Sequence, residues 1–286
     1  MNTSTESVRP NIFEYADYRA YLKDLYLHYK KETSFFSYRY FSQRAGFKSP
    51  NFLKLVIDGQ RNLTEDSLSR TIKAFKMTAV EAKYFGLMVQ LNQAKGLEKK
   101  SKFAKLMARS RVLEKTYPLK QAELKYYTFW YYIPLRELVG TKGFREDLNW
   151  IEDQFSQEIN PDQISEALVD LQSLGLLERK EDGRLSQVHN NVTTEGEVGS
   201  TLVKNYHVEM IHKAAQSISE YSPENREISG TCIHCSSDTV QKIKQLVRDF
   251  RRDILALAEE DKESDQVFQL NFQLFPLAGV KKRGSS

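Results

Sequence analysis

The feature that most constrains the fold of this chain is a pair of short helical patterns separated by a tight break. They lie in residues 37–63, SYRYFSQRAGFKSPNFLKLVIDGQRNL, where apolar residues at helical spacing predict one helix over 37–45, ended by Gly46. A serine and a proline that suit the N-cap and the first helical position predict the next helix over 49–57. Two helices joined in this way form either a hairpin in a helical bundle or a device that reads DNA.

Helical patterns also flank this segment. Residues 12–31 carry apolar and aromatic side chains at helical spacing. Thr64 is placed to cap a fourth helix, and Thr78 with Glu81 forms a capping box for a fifth. We therefore predict a five-helix domain over residues 11–92.

Charge is divided unevenly along the chain. Residues 1–125 hold 24 Lys and Arg against 12 Asp and Glu, a net charge of +12. Residues 126–286 hold 18 against 26, a net charge of −8. A basic front half favours a polyanionic partner, although surface charge also drifts along chains that bind no polyanion.

Composition excludes several classes of protein. The 286 residues are 40% hydrophobic and 28% charged, as in a globular protein of two or three domains. No apolar run approaches the roughly 18 residues of a membrane span, and the N-terminus lacks a signal-peptide core. Two cysteines argue against a disulfide framework. We therefore expect a cytoplasmic protein with no membrane partner.

The rear half predicts a mixture of helices and short strands. Residues 126–140, YYTFWYYIPLRELVG, are densely aromatic and predict buried helix with a kink or turn at Pro134. Residues 145–188 predict two helices followed by two strands around an Asp-Gly turn, which is the pattern of a winged helix. Its second helix is acidic, because it carries Asp162, Glu166 and Asp170, so we expect this unit to be a scaffold or interaction module.

The last part of the chain predicts a small β-α-β unit. A helix over 200–221 is followed by a strand over 227–236, an amphipathic helix over 238–260 and a strand over 267–275. One helix on two strands cannot bury its own apolar faces. We therefore expect this unit to make the protein a homodimer; the alternative is that it packs on the winged helix of the same chain.

The predicted fold class is mainly α, with an α+β C-terminal part. The predicted divisions are a disordered segment at 1–10, a helix-turn-helix domain at 11–92, a basic helical connector at 93–125, a C-terminal regulatory or dimerisation region at 126–280 and a tail at 281–286.

Residues 40–77, YFSQRAGFKSPNFLKLVIDGQRNLTEDSLSRTIKAFKM, resemble the Cro/lambda-repressor-like DNA-binding domain. Val56, where that family usually has an acidic residue, and the extra Asp58 before Gly59 depart from its pattern. The positions that match its buried residues and its turn are Phe41, Ser42, Ala45, Gly46, Phe52, Leu55, Leu68, Ile72 and Phe75.

The resemblance implies that the third helix enters the major groove of double-stranded DNA. An asparagine can bond adenine through two hydrogen bonds, a lysine can reach guanine, and contacts to phosphate fix the register. The residues that would face the bases are Lys48, Ser49, Asn51 and Lys54, and those that would flank the phosphates are Arg39, Gln43, Arg44, Gln60 and Arg61. The alternative is a helical bundle whose polar face is merely solvated.

The order of four segments, FEYADYRAYL, GLLERKEDGRL, YHVEMIHKAAQSI and NFQLFPLAG, resembles a bacterial paralogous family of predicted transcriptional regulators with an uncharacterised C-terminal domain. This resemblance implies gene regulation but supplies no ligand. Together with the helix-turn-helix pattern and the basic front half, it leads us to predict sequence-specific DNA binding in the control of transcription. The alternatives are a protein-interaction adaptor, in which both helix-turn-helix folds are docking surfaces, and a sensor of an unknown small-molecule or protein effector.

Other polar clusters predict no chemistry. Cys232 and Cys235 would point to opposite faces of a strand, which favours structural thiols over a metal site. His207 and His212 do not share a helix face well. We find no phosphate loop, dinucleotide fingerprint or nucleophile-base pair, so we predict no enzyme activity, no cofactor and no metal.

Overall fold

The computed structural model describes residues 9–110, 117–188 and 197–280. Residues 1–8, most of the predicted disordered segment, and the predicted tail at 281–286 lie outside this part. The first six α-helices are α1 Tyr18–Glu32, α2 Tyr38–Arg44, α3 Phe52–Ile57, α4 Glu65–Ala74, α5 Ala79–Gln93 and α6 Leu97–Ala108. A 3-10 turn, Ile12–Glu14, precedes them.

The remaining elements in the described part of the chain are also mostly helical, which confirms a mainly α fold. They are α7 Pro118–Thr128, α8 Tyr132–Val139, α9 Leu148–Gln154, α10 Pro161–Ser173, β1 Leu177–Arg179, β2 Leu185–Gln187, α11 Glu197–Glu220, a 3-10 turn Pro223–Asn225 and α12 Ser237–Glu260.

Local polar signals start α4 and α5 as predicted. Thr64 and Ser67 bond each other's backbone N–H at the start of α4, and Thr78 and Glu81 do the same at the start of α5. The start of α3 differs, because its N-cap is Asn51 and not Ser49. The two residues after Ser49 form a turn, in which the Phe52 N–H donates to the Ser49 carbonyl over 3.2 Å.

Aromatic side chains form much of the core. Fully buried rings include those of Tyr18, Tyr21, Phe41, Phe75 and Phe85 from the front half, and one hydrophobic core joins them to the helices of the rear half. Burial raises the pKa of Tyr18 and of Tyr21 to about 12. The proposed domain boundary near residue 92 stays a prediction.

The aromatic segment 126–140 is divided between two helices. α7 ends at Thr128 and α8 begins at Tyr132, so Pro134 lies in the first turn of α8, where a missing N–H costs no helical hydrogen bond. The rings of Tyr126, Tyr127 and Tyr132 are buried. The break therefore comes before the proline, and the helix tolerates the proline near its start.

The helices and the hairpin of the winged-helix-like unit are present. α9 and α10 precede the antiparallel pair of β1 and β2, in which Leu177 lies opposite Gln187 and Arg179 lies opposite Leu185. The Asp-Gly turn is formed with Gly183 at a φ of +81°, a conformation that favours glycine. Its N–H donates to the Lys180 carbonyl over 2.9 Å.

The β-α-β unit is correct in its helix and wrong in its strands. α12 begins and ends within a residue of its predicted bounds. The segments 227–236 and 267–275 are not strands, because among the described residues neither has a neighbouring strand with which to form a ladder of hydrogen bonds. An alternating apolar pattern specifies the two faces of an extended chain but does not supply its partner.

Candidate nucleic-acid interface

The nine residues predicted to contact DNA lie on the surface around α2 and α3. Eight are exposed, and Ser49 is half-buried. α2 carries Arg39, Gln43 and Arg44, the connection from α2 to α3 carries Lys48, Ser49 and Asn51, α3 carries Lys54, and the turn after α3 carries Gln60 and Arg61. The structure thus leaves these polar groups accessible to a partner.

The connection between α2 and α3 is held by its own polar and aromatic contacts. Gly46 has a φ of +73°, the left-handed conformation that reverses the chain after α2. The Phe47 N–H donates to the Ser42 carbonyl over 2.8 Å, and the Ser42 hydroxyl donates to the Pro50 carbonyl over 3.1 Å. The Phe47 ring stacks on Phe52 with centroids 3.8 Å apart. These contacts fix the position at which α3 begins.

Asn51 stands at the N-cap of α3, but its side chain does not cap the helix. Within the described residues its side-chain amide makes no hydrogen bond, although an N-cap asparagine commonly accepts one from the first turn. Lys54 lies three residues later on the same helix face and is also exposed. Both polar groups are therefore available to an external ligand.

Arg19 of α1 holds the turn after α3, a role that the sequence did not reveal. Its guanidinium donates to the Val56 carbonyl, to the Arg61 carbonyl over 2.9 Å and to the Asn62 side-chain oxygen over 2.7 Å. Because these partners lie about forty positions further along the chain, no local motif could have indicated the contact. Arg19 is thus a positioning residue of the candidate interface.

Two further arginines cover the stacked rings of Phe47 and Phe52. The Arg61 guanidinium lies 5.0 Å from the centre of the Phe52 ring, and Arg70 lies 6.0 Å from that of Phe47. Arg70 also donates to the Gly46 carbonyl over 3.0 Å and pairs with Asp66. Arg70 therefore supports the connection between α2 and α3. Arg61, predicted to flank a phosphate, makes a cation–π contact with the Phe52 ring.

A buried lysine changes the interpretation of the acidic helix α10. Lys125 of α7 has a side chain only 6% exposed, and its ammonium pairs with Glu166 over 2.7 Å and with Asp170 over 3.0 Å. The Tyr132 hydroxyl donates to the same Asp170 carboxylate over 2.7 Å. Two of the three acidic residues that we expected to repel phosphate therefore join α10 to α7, and Asp162 remains on the outer surface.

The same cluster shifts two pKa values. Burial lowers the pKa of Lys125, but hydrogen bonds and attraction from Glu166 and Asp170 outweigh it, so that the net pKa is raised. Burial is also the largest reason why the pKa of Tyr132 is raised, and the charge of Asp170 raises it further. Both groups therefore keep their protons at neutral pH.

A groove of about 660 Å³ lies between α6 and α11. Its lining is basic on the side of α6 and mixed on the side of α11, and it includes Lys102, Lys105, Arg109, Glu209 and His212. This groove is a place where an effector could bind, and the effector itself stays a prediction.

The remaining candidate groups stand apart from these sites. Cys232 and Cys235 are free and exposed, so they are not buried structural thiols. No cluster of three His, Cys, Asp or Glu side chains is placed to hold a metal ion within residues 9–110, 117–188 and 197–280. In the same ranges no helix has the length and apolar character needed to cross a bilayer.

Comparison with known proteins assigns the rear part of the chain. Neither the curated proteins nor the solved structures contain a match. A family model described as Domain of unknown function (DUF4423) matches residues 110–277, which is more than half of the chain. This range begins beyond α6 and includes the winged-helix-like unit, α11 and α12. The match agrees with an uncharacterised C-terminal domain, and the chain belongs to the DUF4423 family.

Proposed function

We propose that this protein is a sequence-specific DNA-binding regulator of transcription whose reading element is α3 with the turn before it. The observation that carries the proposal is the contrast between the two sides of this element. Phe52, Leu53 and Val56 are buried, whereas Lys48, Asn51 and Lys54 are exposed. Recognition of a base edge requires polar side chains on the exposed side of an element whose other side is held in place by packing against the core.

The charge of the front half supports the same function. Arg39, Arg44 and Lys48 make no ion pair within the described residues and lie on α2 and on the connection from α2 to α3. Unpaired cations on one surface attract phosphate and release its counterions on binding. In the proposed complex Arg39 and Arg44 hold the phosphates, while Lys48, Asn51 and Lys54 approach the bases.

The first test removes three of these charges together. Arg39→Ala/Arg44→Ala/Lys48→Ala should weaken binding of the full-length protein to duplex DNA. The slope of log affinity against log salt should become shallower by about 0.9 for each phosphate that the variant no longer neutralises. Fluorescence anisotropy at several salt concentrations measures both quantities.

The matched control removes the same charge from the predicted connector. Lys95→Ala/Lys99→Ala/Lys102→Ala replaces three lysines that lie outside the candidate interface and are also exposed. This variant should keep the slope of the unmodified protein. Equal losses of affinity in the two triple variants would show that the effect comes from net charge alone. If the unmodified protein showed no salt-dependent binding to DNA, the adaptor function would be favoured instead.

The second test separates reading of sequence from holding of phosphate. Asn51→Ala should reduce discrimination between a selected operator and random duplex by about 1–3 kcal/mol, because the variant cannot form a bidentate pair with a base. The operator can be obtained by selection from a random pool, and competition binding gives the ratio of affinities. Arg44→Ala should weaken both duplexes alike. An unchanged ratio in Asn51→Ala would show that α3 is not the reader.

A further inference from the structure

The C-terminal arm, which we define as residues 226–280, leaves most of its large apolar side chains exposed. α12 has no buried residue, although apolar side chains recur along one of its faces from Val240 to Leu257. Phe250 is 55% exposed and Leu257 is 69% exposed. A helix with this pattern ordinarily packs its apolar face against another element.

The uncovered surface is concentrated in the arm and is large. Of the 23 large hydrophobic residues that are exposed in the described chain, 14 lie in this arm. At roughly 100 Å² each they expose on the order of 1,000 Å², compared with about 300–600 Å² for the largest apolar patch of a typical monomer. A partner in a standard interface buries about 800 Å² on each side. The arm therefore exposes enough apolar surface for one stable interface.

The segment after α12 turns its polar side toward the body of its own chain. Tyr206 donates to the Gln269 side-chain oxygen over 2.9 Å, and the Asn271 amide donates to the Met210 carbonyl over 3.0 Å. On the other side, Phe268 is 73% exposed. The amide face of this segment thus faces α11, and the apolar face is directed away from the body, which argues against the alternative that the arm is covered by its own chain.

The apolar surfaces of α12 and of this segment are continuous. The rings of Phe250 and Phe272 meet edge to face with centroids 5.9 Å apart. The segments 227–235 and 266–275 make no backbone-to-backbone hydrogen bond with any described residue. A segment whose N–H and C=O groups make no backbone-to-backbone hydrogen bond is a surface on which a strand can pair.

The charges of α12 are complementary to a second copy of α12. Residues 237–248 hold three Lys and Arg against one acidic residue, a net charge of +2, whereas residues 249–260 hold two against four, a net charge of −2, with Glu259 and Glu260 in the last turn. Acidic residues in a last turn are disfavoured by the helix dipole, so they gain from an external cation. Two copies related by a two-fold axis and placed antiparallel bring the basic part of each helix near the acidic end of the other.

We propose that a second copy of this chain covers the C-terminal arm, through antiparallel packing of the two α12 helices and pairing of the segments 227–235 and 266–275. A two-fold dimer would bury the apolar face, provide hydrogen-bond partners for the backbone groups and bring the basic part of each α12 near the acidic end of the other. The proposal does not depend on DNA binding, because none of the nine candidate DNA contacts lies in the arm. If both proposals are correct, the dimer presents two reading elements to one operator.

The test is the mass of the full-length protein in solution. Light scattering coupled to size exclusion should give a dimer of the 33.2 kDa chain. Phe250→Asp/Leu257→Asp should weaken the dimer by on the order of 100-fold or more, because each copy places two charges in the apolar interface. Both side chains are mostly exposed in the monomer, so circular dichroism should show unchanged helical content.

The matched control places the same charges on another exposed apolar pair. Leu119→Asp/Val169→Asp replaces side chains that are 59% exposed and lie outside the arm, and this variant should remain a dimer. A monomeric unmodified protein at micromolar concentration would overturn the proposal and leave the arm to a different partner. If the Phe250→Asp/Leu257→Asp variant remained a dimer, the interface would lie outside α12 and the proposal would be wrong.

A charge exchange tests the antiparallel arrangement. Full antiparallel overlap of the two helices places Glu259 of one copy opposite position 238 of the other, one turn from Lys242. Lys242→Glu and Glu259→Arg should therefore each weaken the dimer, and the two changes together should restore it, because both charges are then reversed. Sedimentation equilibrium gives the three dissociation constants. Additive weakening in the double variant would overturn the antiparallel assignment.

Discussion

Phe41→Ala is expected to lower the free energy of unfolding of the front half by about 4 kcal/mol. The side chain is completely buried in α2, and its ring stacks on Phe75 with centroids 4.6 Å apart. Removal of a buried phenyl ring costs about 3–5 kcal/mol, since the burial of its apolar surface is forfeited and a cavity remains. Phe41 also lies 6.3 Å from the Phe47 ring, which carries the stack that fixes the start of α3.

Urea denaturation of the full-length protein measures this destabilisation, and Phe35→Ala is its control. Phe35 lies six positions earlier and is 64% exposed, so the same substitution should change stability by no more than about 0.5 kcal/mol. Phe41→Ala should also weaken the proposed DNA binding, since it loosens the proposed reading element, and should leave the mass of the proposed dimer unchanged. Equal effects of the two substitutions would contradict the placement of α2 in the core.

Lys125→Met is expected to lower the free energy of unfolding by about 3 kcal/mol. Breaking a buried ion pair costs about 3–5 kcal/mol because a charge is left without compensation. We expect the lower end of this range, since Glu166 is half exposed and can be hydrated, whereas Asp170 is 16% exposed and cannot move freely into water.

Two variants identify the origin of this destabilisation. Lys120→Met removes a lysine that pairs with Glu123 within α7 and is more exposed, so it should cost less than about 1 kcal/mol. Lys125→Met/Asp170→Leu should recover part of the stability, because the uncompensated carboxylate is removed with the cation. No recovery in the double variant would show that packing of the Lys125 stem, and not its charge, is what matters.

The pH dependence of this pair has a definite sign. The folded state raises the pKa of Lys125, so the stabilisation is present below the unfolded pKa of lysine, about 10.4, and is lost as pH rises through the folded value. Buried tyrosines titrate in the same alkaline range, so the informative quantity is the difference in stability between the unmodified protein and Lys125→Met. That difference should shrink toward alkaline pH.

The elements that sequence patterns predicted well are those fixed by neighbours in the chain. The caps at Thr64 and Thr78 involve partners three residues away, and the hairpin around Gly183 depends on a turn of three residues, 181–183. A local pattern contains all the information needed for such contacts. The helices, the hairpin and the exposure of the candidate DNA contacts were therefore predictable.

The contacts that the sequence did not reveal join residues distant in the chain. Arg19 reaches the turn after α3, and Lys125 reaches Asp170 forty-five positions later. Only the fold brings these groups together. A count of charges along the sequence therefore placed Asp170 on an exposed acidic face, whereas it is bonded to Lys125 and Tyr132. The strands at 227–236 and 267–275 were wrong for a related reason, because pairing requires a partner segment that the alternating pattern cannot specify.

The side-chain amide of Asn51 makes no hydrogen bond within the described residues. The residues that stabilise the fold are therefore different from those that we propose for recognition. Arg19 and Arg70 are occupied in supporting α3, but Asn51 and Lys54 contribute little to the fold. Substitution at these two positions should therefore leave thermal stability nearly intact. Under the proposed function, gene duplicates of this domain would diverge in target choice by single replacements, without compensating changes in the core.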